Sequence, residues 1–210
     1  MKSPFVFLLA LLLAACSPAT ATPPPARLDV YATPAAGPWL QEAFTCAADQ
    51  NTILGVASGP DGADLVLRIG EPPALTRSAY QIDMEEILVV THRESPVQNL
   101  TAEGARDLFA GRGDPSVQIW AYADGEDVQQ AFDELVMGGE PVTSLARMAT
   151  SAQEMSDALN AEKNAVGILP RHWKAGSVRD VFSAGRVPVL AITRVEPEGA
   201  LKQLVACLQK

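Results

Sequence analysis

The 210-residue chain carries 16 basic and 25 acidic side chains, a formal charge of −9, and 48% of its residues are hydrophobic. That balance argues against nucleic acid as a partner and against direct adhesion to anionic lipid. The length allows one large domain or two small lobes.

Lys2 precedes the apolar run "FVFLLALLLAA", which is too short and too N-terminal for a membrane span. The run ends in "LAAC", with Ala14 and Ala15 before Cys16. This order resembles a bacterial lipobox, which implies a leader over 1–15 and lipidation of Cys16 as the first mature residue. The alternative is an ordinary secretory signal followed by a free thiol. Either way the expectation is an extracytoplasmic protein, and the lipobox adds a lipid anchor to the cell membrane. Removing Lys2 with the leader leaves 15 basic residues against 25 acidic ones, a formal charge of −10. Residues 16–26 include "SPATATPPPA", which reads as an extended, partly polyproline tether. Residues 27–210 remain for folding.

"RLDVYAT" predicts a strand leading into a helix over "PAAGPWLQEAFTCAAD", with Pro34 or Pro38 in its first turn. "ILGVAS" and "ADLVLRIG" predict two more strands, parted by the turn "GPDG". "EEILVVTH" is a longer β-rich run. In "NLTAEGARDLFAG", Thr101 caps a helix that Gly111 stops. "VQIWAYA" is a strand, and "EDVQQAFDELVMGG" is a helix closed by Gly138 and Gly139. "SAQEMSDALNAEKN" is a helix with Ser151 and Glu154 in capping-box spacing. "AVGILP" predicts a short buried strand, "VRDVFSAGRVPVLAITR" further β structure, and "EGALKQLVACLQK" a final helix. Strands alternating with helices predict an α/β fold with a largely parallel sheet, and no internal repeat is visible.

Beyond the leader the cysteines are Cys46, at the end of the first helix, and Cys207, in the last. An even pair in an exported chain predicts a disulfide, with two buried free thiols as the alternative.

The stretch "VTHRESPVQNLTAEGARDLFAGR" is similar to the phosphate-type substrate-binding proteins of ABC importers. The similarity rests on Pro96, Val97, Asn99, Leu100, Thr101, Phe109 and Gly111, on the helix around Ala131 and Phe132, and on "NAVGILP". The resemblance implies a two-lobed, periplasmic-binding-protein-like α/β fold with mixed, mostly parallel sheets and two hinge crossings. On the family's boundaries the first lobe takes 27–90 and 178–210, and the second takes 91–177. That division puts the Cys46 and Cys207 helices in one lobe, in agreement with the disulfide.

The family grips its anion with an Arg and a Ser-Gly-Thr that opens a second-lobe helix. Aligned on Ala131 and Phe132, those positions here are Tyr122, Glu126, Asp127 and Val128. Phosphate there would meet carboxylates in a partly dry cleft, so it is not the expected ligand. Asp124, Glu126 and Asp127 read first as caps of their own helix, since acids complement its dipole. Otherwise they greet a cationic or amine-bearing ligand. In the first lobe, the resemblance implies that Thr33, Ala35 and Ala36 of "YATPAAG" approach a ligand with backbone amides, with an ordinary strand-to-helix turn as the equal alternative. Glu71 in "GEP" follows a strand at the edge where open α/β sheets bind ligands, or is an exposed turn acid. Arg68 lies on the face opposite Leu67 and Ile69, and Arg171 follows "ILP". Either suits a ligand carboxylate, though surface ion pairing is the commoner fate of arginine. Tyr122 and Trp173 suit the wall of an organic-ligand pocket. His92 and His172 have no metal-motif spacing, so neither a metal nor another cofactor is expected. No nucleophile elbow, Walker loop or metalloprotease motif is present, which argues against an enzyme.

Two functions remain. One is a solute-binding lipoprotein serving an ABC permease, with a small-molecule ligand of unknown class. The other is a binding-fold envelope lipoprotein without a solute, acting as a sensor or protein-partner module.

Overall fold

A computed structural model describes residues 24–210. The expected leader, the lipidated Cys16 and most of the tether lie outside the described residues. Among these, no helix is long and apolar enough to cross a membrane.

The chain forms β1 (Ala26–Ala32), α1 (Gly37–Asp49), β2 (Thr52–Val56), β3 (Leu65–Ile69), β4 (Ser78–His92) and α2 (Ala102–Asp107). It continues with β5 (Gln118–Tyr122), α3 (Asp127–Phe132), β6 (Arg147–Ala149), α4 (Ala152–Ala161), β7 (Ala165–Pro170), β8 (Val178–Thr193) and α5 (Gly199–Leu208). The strands lie in the order β2-β1-β3-β8-β4-β7-β5-β6. Pairs β1–β2, β1–β3, β5–β7 and β5–β6 are parallel, and the pairs that involve β8 or β4 are antiparallel.

β4 and β8 organise the molecule. Residues 78–81 of β4 pair with the end of β8, which itself pairs with β3. Further on, Ile87–Thr91 pair with β7. The same two strands therefore run through both lobes. The β4–β8 ladder shifts register between Gln81 and Asp83, between Ile87 and Leu88, and between Val89 and Val90. Sequence patterning captured only the second half of β4. Its first half, "SAYQIDM", alternates polar and apolar residues and lacks the apolar run that marks a strand buried on both faces. β6 was missed as well, because its three residues are held by β5 alone.

Local signals fix the helix ends. Thr101 Oγ1 accepts from the Gly104 N–H at 3.0 Å, and Ser151 Oγ from the Glu154 N–H at 3.1 Å. The capping box is one residue out of place: Glu154 reaches back to the N–H and hydroxyl of Thr150. Gly111 and Gly138 end their helical segments at φ 82° and 60°, which suits glycine.

The cores follow the sheet. Leu65, Leu67 and Ile69 of β3 are fully buried with Val30, Trp39 and Ala43 on one face of the first lobe's sheet. Phe109, Phe132, Met155, Leu159 and Ile168 fill the second lobe, with the Phe109 and Phe132 rings 4.7 Å apart. Cys46 of α1 and Cys207 of α5 form the disulfide, at a Cα separation of 6.0 Å.

Candidate functional site

β1 ends at Ala32, and Thr33 opens the tight turn Pro34–Ala36 that leads into α1. From the other lobe, α3 begins at Asp127 and points its first turn at this loop. The two meet through one side chain. Asp127 Oδ2 accepts from the Thr33 hydroxyl at 2.5 Å and from the Ile69 N–H at 2.9 Å. Its other oxygen accepts from the Val128 N–H at 2.9 Å. Asp127 is only 3% exposed. A carboxylate with three donors in a dry setting is held by charge-assisted bonds. First-lobe donors thus converge on an anion, and the anion belongs to the protein.

Around this contact Pro34, Ala35, Tyr122, Glu126, Asp127, Val128, Ser151 and Ala152 enclose a void of about 10 Å³. That is roughly room for a single water and too little for phosphate. Ala35 and Ala36 are buried, and the Ala36 N–H already donates to the Thr33 carbonyl at 3.0 Å. The Ala35 carbonyl accepts from Trp173 Nε1 at 2.8 Å. Tyr122 is buried and donates its hydroxyl to the Ile168 carbonyl at 3.0 Å, so its polar end is spent on the second lobe. Burial drives its phenol far above the ordinary range, helped by the charges of Asp127 and Glu126. Glu126 sits at the N-cap of α3 yet makes no capping bond. Its own burial and then the Asp127 charge raise its carboxyl above the usual range. The expectation that these acids simply cap their helix therefore holds only in part: Asp127 also bonds across the cleft, and Glu126 does not cap.

Other contacts join the lobes. Arg68 Nη2 on β3 donates to Gln130 Oε1 on α3 at 2.9 Å. The Trp39 ring of α1 lies 4.8 Å from the His172 ring. Glu85, on the crossing part of β4, is 1% exposed. It accepts from the N–H groups of Glu86 and Arg171 at 2.8 and 3.0 Å, and its second oxygen lies 2.5 Å from His172 Nδ1.

Three of the expected ligand residues lie elsewhere. Arg171 pairs with Glu86 at 2.7 Å, the surface ion-pair outcome. That bond, followed by the Ser183 hydroxyl, holds the Glu86 carboxyl below its usual range. Glu71 lines a separate groove of about 360 Å³ with Gly70, Ala131, Glu134, Leu135 and Arg186. Asp124 lines a 680 Å³ groove beside β6, with Asp133 and Glu140. Burial and then the Asp124 charge raise the Asp133 carboxyl, and Gln129 partly opposes them. Among the described residues no three His, Cys, Asp or Glu side chains cluster to hold a metal.

Sequence reasoning missed the Ile69 N–H, Gln130 and Glu85. The first is a backbone group, and the other two gain meaning only when the lobes meet, so no local pattern marks them.

No family model matches the chain, and no curated protein matches it. Solved structures do. A Clostridium perfringens protein assigned as a phosphate ABC transporter substrate-binding protein, with bound phosphate, superposes with a TM-score of 0.76 at 14% identity, covering 87% of this chain and 92% of that one. An ABC-type phosphate transport receptor from Vibrio cholerae gives 0.68 at 15% identity, covering 87% and 93%. The reduced regulatory domain of OxyR2 from Vibrio vulnificus gives 0.63 at 9% identity, covering 89% and 95%. The fold is accordingly the two-lobed, periplasmic-binding-protein-like one. Transport receptors and a regulatory domain share it, so the fold alone selects no function.

Proposed function

We propose that the protein is an extracytoplasmic, lipid-anchored module built on the substrate-binding fold. In this reading it carries no phosphate-type anion in its cleft and works by presenting a closed two-lobed form to a protein partner. The supporting observation is Asp127, which already occupies the first-lobe donors Thr33 and Ile69. An incoming anion would have to displace it and then lie beside it, and like charges in a dry cleft repel. Its lobes are taken as 27–90 with 178–210 and as 91–177, joined where β4 and β8 cross.

A second reading is the solute receptor of an ABC importer, with a permease partner and a ligand that is not phosphate. It is favoured by the groove in which Glu71 of the first lobe faces Glu134 of the second and Arg186 on β8. Calorimetric titration with phosphate, amino acids, polyamines and sugars, paired with small-angle scattering, separates the two. The partner reading expects a flat panel and an unchanged radius of gyration. Saturable binding of a non-phosphate solute with a change in radius supports the receptor. Tight phosphate binding overturns both.

A further inference from the structure

The first lobe's sheet has a second, smaller apolar face. Because Leu65, Leu67 and Ile69 point into the main core, Val66 and Arg68 project from the opposite side of β3. Register places Val66 opposite Ile192 and Arg68 opposite Leu190 on β8. Ala63, Val66, Leu190 and Ile192 form a buried cluster of their own there, with Tyr31, Ala57 and Ala79 packed at its margin.

Loops 60–61 and 72–77 wall a pocket of about 320 Å³ over this face. Val66, Ile192 and Leu75 supply apolar lining, and Arg68 and Arg77, with Asp61 at the rim, supply charge. Neither arginine is well neutralised. Arg68 is half-buried and has no carboxylate within ion-pair distance among the described residues. Its bonds run to Gln130 Oε1 at 2.9 Å and the Ile69 carbonyl at 3.5 Å. Burial pushes its guanidinium below the ordinary range and Asp127 counters that from further off; an arginine keeps its charge regardless. Arg77 donates to the Pro60 carbonyl at 3.5 Å, and the carboxylate it meets, Asp61 at 3.5 Å, is 98% exposed.

We propose that this pocket binds a small monocarboxylate with an apolar body, such as a short aliphatic or aromatic acid. The carboxylate lies between Arg68 and Arg77, taking the place of Asp61 on Arg77, and the hydrocarbon rests on Val66, Leu75 and Ile192. A guanidinium presents paired N–H donors that match a carboxylate. The volume sits at the lower end of the range for small-ligand sites, which limits the acid to a few carbons or one ring. Every lining residue belongs to the first lobe, so occupancy does not require the lobes to open, and Asp127 does not block it.

Isothermal titration of the purified protein with benzoate and hexanoate tests this, with benzyl alcohol and hexanol as uncharged counterparts. The expected result is saturable one-site binding of at least one acid, about tenfold or more tighter than its alcohol, as loss of a charge-assisted contact predicts. Arg77→Gln weakens the acid about tenfold and leaves the alcohol unchanged. The proposal is overturned by no saturable heat from either acid at millimolar concentration, or by equal affinity for acid and alcohol. It is also overturned by unchanged acid affinity in Arg77→Gln. Arg68→Gln is a second test of the same kind; if that variant does not fold, Arg77→Gln decides alone.

Discussion

At the scale of single residues, Asp127 carries most of the chemistry. Its carboxylate satisfies a hydroxyl, a β3 amide and its own helix's amide in a site closed to solvent. Asp127→Ala strands the Thr33 hydroxyl and the Ile69 N–H and is expected to cost about 2–4 kcal/mol in urea unfolding. Asp127→Asn keeps an acceptor and should cost about half as much. An alanine variant as stable as the wild type would mean the contact is not made in solution. Glu126 beside it has its carboxyl raised by burial and by Asp127. A raised folded-state pKa gives stability that is present at low pH and lost as pH rises through the folded value. Glu126→Gln removes that loss. The variant should therefore gain on the wild type at pH 7, and the gain should shrink as pH falls through the raised folded value into the ordinary carboxylate range. Denaturant midpoints at pH 7 and pH 4 check it, and a gain independent of pH would contradict the assignment.

At the scale of elements, α1 and α5 are joined by Cys46–Cys207, which closes a loop with a sequence separation of 161. Cross-linking so long a loop restricts the unfolded chain, worth roughly 4–5 kcal/mol in the entropy account. Replacing both cysteines by alanine is expected to lower stability by about 2–5 kcal/mol, read as a denaturant midpoint that no longer responds to reductant. The long strands matter differently. β4 and β8 are the elements common to both lobes, and their register shifts fall where they cross or enter the second lobe. Bulges bend a strand and raise its twist, so this ladder sets how the lobes face each other.

At the scale of the molecule, the closed form rests on a short set of contacts: Asp127 on Thr33 and Ile69, Arg68 on Gln130, Trp173 on Ala35, and Trp39 against His172. Domain closure is a population balance that contacts such as these bias. Removing two of them together, in an Asp127→Ala, Trp173→Phe variant, is expected to raise the radius of gyration measured by small-angle scattering. Phenylalanine keeps the ring but loses the indole donor. An unchanged radius would place the closure energy in the β4–β8 ladder itself.

The sequence by itself determined the fold class and most of the local structure, the first half of β4 and the short β6 excepted. Alternating strand and helix patterns, the caps at Thr101 and Ser151, the stops at Gly111 and Gly138 and the even cysteine pair all act over a few residues or through covalent chemistry, so they are legible in one dimension. The resemblance also implied that Tyr122, Glu126 and Asp127 stand where the family grips phosphate, which makes phosphate an unexpected ligand. Only the tertiary structure decided what those residues do instead. Asp127 meets Thr33 across 94 positions of chain and Ile69 across 58, a juxtaposition that exists only after the two lobes pack. Arg171 and Glu71 were drawn away from the same cleft for a related reason: Glu86, 85 residues from Arg171, captures its guanidinium, and the β3 turn sends Glu71 to another groove. Local propensity is written in neighbours, whereas the partner of a buried charge is whichever group the fold brings to it.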